Sequence, residues 1–256
     1  MALFAGISTL LSILVGWGVT ARLLALARRS RAAPERLLAT AFGGLFCVGF
    51  PLAGTSRAPA MIMTNEGSLL YAMGSIGMVV GISALARFPY FVFRAGKRWA
   101  SLLSLAIGVT GAVGGIGAAW VVAFAPTREA MVAGIQLWAL ALVTAVLASC
   151  LWNGLESIAY YGKMKKRAAL GLSNPETTHR FLLWGLASML SVVGAAAMIT
   201  IRAAGLPIMA PLGGSIIACT TLATAVCWWL AFFIPNAYRR RFLGIDPSTA
   251  EVEGSA

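Results

Sequence analysis

Runs of predominantly apolar residues recur along this chain, and short basic clusters divide them. Each run is about 17–25 residues long, enough for one helix to cross the ~30 Å hydrocarbon core of a bilayer. A water-soluble domain of 256 residues that is 59% hydrophobic and 11% charged has too little polar surface to cover itself. The mean hydropathy of +0.85 agrees. The sequence therefore predicts an all-α, polytopic membrane protein. Seven transmembrane helices are placed at about 3–27, 34–54, 69–93, 101–124, 129–170, 175–203 and 212–235. They make one bundle over 1–242, with a polar, acidic and disordered cytoplasmic tail at 243–256. The first helix lacks a polar leader and a small-residue cleavage site, so it reads as a retained helix, not a signal peptide.

Orientation follows from the basic residues. Fifteen lie in the connections after the first, third, fifth and seventh helices, against three (Arg57, Arg128 and Arg202) on the other side. By the positive-inside rule the N-terminus is outside and the C-terminus cytoplasmic. A chain rich in Ala, Gly and Arg but with four Lys suggests a GC-rich bacterial genome, and hence a bacterial inner membrane. The net charge of +12 does not indicate nucleic acid, because the charge sits at the ends of apolar runs.

The fifth helix is the longest. Forty-two residues rise about 60 Å at 1.5 Å each, well beyond one bilayer core. It ends at Gly171, and Asn174-Pro175-Glu176 opens the sixth with an N-cap, a proline and an acid. The two helices thus form a cytoplasmic hairpin whose basic residues Lys163, Lys165, Lys166 and Arg167 would face a cytoplasmic protein partner.

Charged side chains at membrane depth are costly and are functional candidates by default. Arg87 precedes Arg94 by seven residues and Glu156 precedes Lys163 by seven, which sets both about 10 Å inside the boundary. An Arg87–Glu156 pair is the expectation, with Asn153 one turn above Glu156. The pair would be a static pin, a latch between helix positions, or, with Glu156 alone, a proton carrier. Trp152, Trp184, Trp228 and Trp229 fall in the inner parts of the last three helices and form either an interfacial belt or the wall of a ligand pocket. Gly77 and Gly81, and likewise Gly111 and Gly115, form GxxxG faces on the third and fourth helices. These serve packing within the bundle or, alternatively, a homo-oligomer. The largely apolar connection 55–68 is either an ordinary loop or a lid folded over the bundle.

The four cysteines lie inside apolar runs without a CxxC pair, and His179 is the single histidine, so neither a disulfide framework nor a metal site is expected. There is no HExxH, nucleophile–base set, paired carboxylates or phosphate loop, so no catalytic residue is assigned and an enzyme is not the expected class.

In topology the chain resembles microbial rhodopsins and seven-helix receptors. The resemblance would imply a retinal lysine on the last helix, but the lysines are Lys97, Lys163, Lys165 and Lys166, which excludes covalently bound retinal. Arg87-Phe88-Pro89-Tyr90 and Pro235-Asn236-Ala237-Tyr238 lie where such receptors carry motifs, but their residue order differs, so no functional residue transfers. The stretches 94–99 and 174–185 resemble uncharacterised bacterial seven-helix membrane proteins. The reading that follows is a receptor or sensor that binds a small apolar or amphiphilic ligand among the third, fifth, sixth and seventh helices and signals through the hairpin. The alternatives are a proton-coupled small-molecule transporter and a non-catalytic subunit of a membrane complex.

Overall fold

The computed structural model describes residues 2–205 and 211–243. Among them there is helix and turn but no strand. In chain order the helices are α1 (Ala2–Ser30), α2 (Ala33–Phe42), a π-helical stretch (Gly43–Gly49), α3 (Phe50–Thr55), α4 (Asn65–Phe93), α5 (Arg98–Phe124), α6 (Arg128–Ala168), α7 (Pro175–Ala203) and α8 (Pro211–Phe232). A short turn, α9 (Asn236–Tyr238), and a second π-helical stretch (Arg239–Leu243) follow. Seven spans are long and apolar enough to cross a membrane, α2, the π stretch and α3 together making one of them. Of the expected last outer loop, 206–211, all but Pro211 lies outside the described residues, as does nearly all of the expected tail.

Consecutive helices pack side by side, and α8 closes the ring against α1, while α4 touches α2, α5 and α6. The bundle has a hairpin end, carrying the α6–α7 connection, and a far end, carrying the 56–64 segment. Its packing inverts that of a soluble protein. Large apolar side chains such as Leu10, Leu14, Ile76, Ile116 and Leu137 are exposed around the circumference, while Ser8, Ser12, Ser75, Ser104, Ser149 and Ser157 are buried. That distribution suits a hydrocarbon solvent, in which small residues let helices approach closely.

Local chemistry sets the helix ends. The Thr64 hydroxyl accepts a hydrogen bond from the Gly67 N–H at 3.0 Å, so α4 starts four residues before the expected position, Leu69. Thr127 caps α6 through the Ala130 N–H, and Asn174 Oδ1 accepts from the Glu176 N–H at 2.8 Å at the start of α7. Between α6 and α7 the chain reverses at Gly171, whose φ of +72° is left-handed.

The second span departs from the expected continuous helix. Within the π stretch the Phe50 N–H bonds to the Leu45 carbonyl, five residues back, and Pro51 has no N–H to offer the Phe46 carbonyl. In hydrocarbon no water can fill that vacancy. Trp17 on α1 fills it, its indole N–H donating to Phe46 O at 2.7 Å. Gly44 in the same stretch abuts Gly77 and Gly81 of α4 so closely that a Cβ there would stand 2.7–2.9 Å from their backbone atoms. Gly115 meets Val79, and Gly111 lies against Ile82 and Ala145. Both GxxxG faces therefore pack against neighbouring helices within the chain.

Candidate functional site

Pro89 lies inside α4 and is fully buried. It has no N–H, so the Leu85 carbonyl one turn back loses its intrahelical donor. Asn153 on α6 supplies one. Its Nδ2 donates to Leu85 O at 3.0 Å and to Ser149 O at 2.9 Å. The orientation of the amide is forced, since a flip would set its oxygen against two carbonyl oxygens. Asn153 is 0% exposed, as are Ser149 and Ser157, which stand one turn before and after it on α6. The Asn153 Oδ1, both serine hydroxyls and the Trp152 indole N–H are buried without a hydrogen-bond partner among the described residues.

The expected Arg87–Glu156 pair does not form. Glu156 instead accepts from Arg94 Nε at 2.6 Å. Counting residues sets the depth of a side chain along a helix but not its direction around it. Ala86, Phe88 and Pro89 face the bundle interior, and this turns Arg87 outward, where it is exposed. Arg94, just past the last turn of α4, reaches back to the carboxylate and lies over the Trp99 ring at 5.7 Å, which in turn meets Trp152 at 6.1 Å. The hydrogen bond to Glu156, and then its charge, raise the Arg94 pKa further, so the guanidinium stays charged.

On the other side of α4, also toward the hairpin end, lies a groove of about 250 Å³ lined by Arg22, Glu35, Phe88, Arg180, Trp184 and Phe232, among others. Trp184 is 6% exposed, and its ring sits among Phe42, Phe88 and Phe232 at centroid distances of 5.8–6.0 Å. Its indole N–H, Glu35 Oε2 and Arg180 Nε have no hydrogen-bond partner among the described residues. Arg180 is held by Glu176 at 2.6 Å, and Glu176 also binds Arg239 at 3.3 Å. One residue from Arg180, the His179 ring meets the Tyr238 hydroxyl at 2.5 Å. The groove is thus tied to the start of α7 and to the segment after α8.

The tryptophans are not a uniform belt. Trp152 and Trp184 are buried, and Trp228 makes edge contacts with Phe42 and Phe46 at 5.0 and 5.1 Å. Trp229 alone of the four faces outward, stacked on Phe233 at 4.3 Å. Trp184 is the one that lines the groove. Asn153 and Glu156 do act at one place, across from α4, whereas Arg87 does not join them. Lys163, Lys165, Lys166 and Arg167 are exposed on α6 and make no ion pair among the described residues.

Sequence reasoning missed Arg94, Trp99, Phe88, Glu35 and Arg180 as site residues. For Asn153 a signal was there: a mid-span proline demands a replacement donor for the carbonyl four residues back. For the groove residues there was none, because they come from five helices. Among the described residues no three His, Cys, Asp or Glu side chains cluster as a metal ion would require. No family model matches this chain, and no curated protein or solved structure matches it.

Proposed function

We propose that this chain is a receptor- or sensor-like protein of a bacterial inner membrane, its hairpin end in the cytoplasm. In this reading it takes a small amphiphile into the groove beside Trp184 and passes occupancy through α4 to the basic α6–α7 hairpin, which meets a protein partner. The observation that carries the reading is the adjacency of two residues. Phe88 lines the groove, and Pro89, next to it, breaks α4 where Asn153 binds. A molecule pressing on Phe88 bears on the weakest turn of α4, and α6, held there through Asn153 and Glu156, leads straight into the hairpin. The groove suits an amphiphile because its wall is aromatic while its rim offers Arg22, Arg180 and Glu35.

The test is direct. The protein purified in mild detergent is extracted and analysed by mass spectrometry and absorption spectroscopy for retained molecules, while a spin label at Lys165→Cys reports on hairpin mobility. A stoichiometric amphiphile is expected, depleted several-fold in Phe88→Ala, with its removal changing the label's mobility. An extract with no stoichiometric molecule, or a hairpin indifferent to its removal, rejects the reading.

A further inference from the structure

A second cavity, of about 210 Å³, lies at the far end, on the opposite side of the bundle from the hairpin. It sits under the 56–63 segment, against the starts of α4 and α6. The segment is fitted closely over it. Met63 adopts a left-handed φ of +64°, which a non-glycine residue takes at a cost. Gly67 lies directly against the Met61 carbonyl, where a Cβ would overlap it. Met61, Met63 and Met131 supply an apolar, adaptable wall.

The charges around this cavity are one-sided. Arg57, from the connecting segment, and Arg128, from the first turn of α6, both line it, and no acidic residue does. Neither arginine makes an ion pair among the described residues, although Glu66 and Glu129 lie nearby in sequence. Arg57 is set over the Tyr71 ring at 5.7 Å. Tyr71 also lines the cavity and is only 3% exposed. Both arginines are exposed and border the same cavity, so an anion held there is attracted by each. The hydroxyl adds a donor in the same wall.

We infer that this cavity binds an oxyanion on a short apolar body, of the class of a small aromatic or aliphatic carboxylate. Arg57 and Arg128 hold the charge, the Tyr71 hydroxyl donates a hydrogen bond to it, and the methionines cover the body. The volume falls below the ~300–1,000 Å³ of pockets for drug-sized ligands, which limits the body to a single ring or a short chain. The inference does not depend on the groove beside Trp184 being a ligand site.

Benzoate is the probe and benzamide, of the same shape without the charge, its control. Both are titrated by calorimetry into the full chain in a neutral detergent. Saturable benzoate binding with none for benzamide is expected. Arg57→Gln or Arg128→Gln should weaken it tenfold or more, and Tyr71→Phe on the order of ten- to a hundredfold, as the loss of a hydrogen bond to a charged group does. Arg57→Lys keeps the charge and should recover part of the affinity, and an unchanged melting temperature shows that each variant is folded. In nanodiscs with phosphatidylglycerol, displacement of benzoate by the lipid would retain the oxyanion site and assign its natural occupant to a phospholipid headgroup. Equal binding of benzoate and benzamide, no saturable benzoate binding, or full affinity in folded Arg57→Gln and Arg128→Gln would each overturn the inference.

Discussion

The second span and α4 are both broken by a proline, and the bundle repairs the two breaks with different materials. At Pro51 the helix absorbs the fault in a π stretch, and the orphaned Phe46 carbonyl is met by Trp17, a residue 46% exposed at the circumference of the bundle. At Pro89 no π stretch intervenes, and the Leu85 carbonyl is met by Asn153, which is wholly buried. A tryptophan on the outer face of the bundle makes one hydrogen bond and otherwise packs as an apolar ring. A buried asparagine brings an oxygen that must also be accommodated, and around it lie further polar atoms without partners. The first repair is the economical one. The second places polarity in the interior beside a groove and an ion pair, and this difference marks α4 at Pro89 as the region to test for function.

The two spans touch at Gly44. Gly44→Val would push a side chain into the backbone of Gly77 and Gly81, with no flexible neighbour to yield. Overpacking of this kind costs at least about 1–3 kcal/mol and displaces the π stretch. A marked drop in folded yield and in resistance to denaturing detergent is expected. Next in size is Asn153→Leu. Hydrogen bonds between membrane helices average about 0.6 kcal/mol, with a maximum near 1.7. Pro89 denies this acceptor its regular intrahelical donor, so a loss toward the upper end, about 1.5 kcal/mol, is expected from reversible unfolding in mixed micelles. In a Pro89→Ala background the helix regains its own N–H, and the cost of Asn153→Leu should fall to a few tenths of a kcal/mol. Additivity of the two changes would show that Asn153 does not act through Leu85.

Trp17→Phe should cost less, about 0.6 kcal/mol, since the ring volume nearly survives and only one hydrogen bond goes. That cost should also shrink in Pro51→Ala. Smallest in stability is Glu156→Gln. The Arg94 side chain is 43% exposed, and such pairs contribute about 0–1 kcal/mol. Its expected signature is dynamic instead, a more mobile spin label at Lys165→Cys with unchanged insertion. A label unaffected by the substitution would leave Arg94–Glu156 as a passive contact and remove the latch from the proposed mechanism.

Several features could be read without coordinates. The seven spans follow from hydropathy and length, and the cap at Asn174 follows from side-chain chemistry next to a helix start. The long α6 follows from an uninterrupted run that ends at a glycine. The π stretch could not be read so, because a π turn depends on which carbonyl each N–H selects, and that choice was settled by Gly44 nesting on α4 and by Trp17 reaching Phe46. The connection 55–68 reads first as an ordinary loop and only alternatively as a lid, since its apolar residues say that it is covered but not what lies beneath.

Hydropathy and rise per residue suffice to count the membrane-length spans and to place each residue in depth along its helix. Both depend on one-dimensional quantities, run length and rise per residue, and on the requirement that backbone groups in hydrocarbon bond within their own segment. Which way each side chain faces is a property of the packed bundle. In a soluble helix a polar stripe reveals the outer face, but lipid is as apolar as the core and erases that stripe. Each residue turns the helix by about 100°, so Arg87 and Phe88, adjacent and at nearly the same depth, face different directions, one exposed and one lining the groove. The partner of Glu156, the donor for Leu85 and the wall around Trp184 all depend on that rotation.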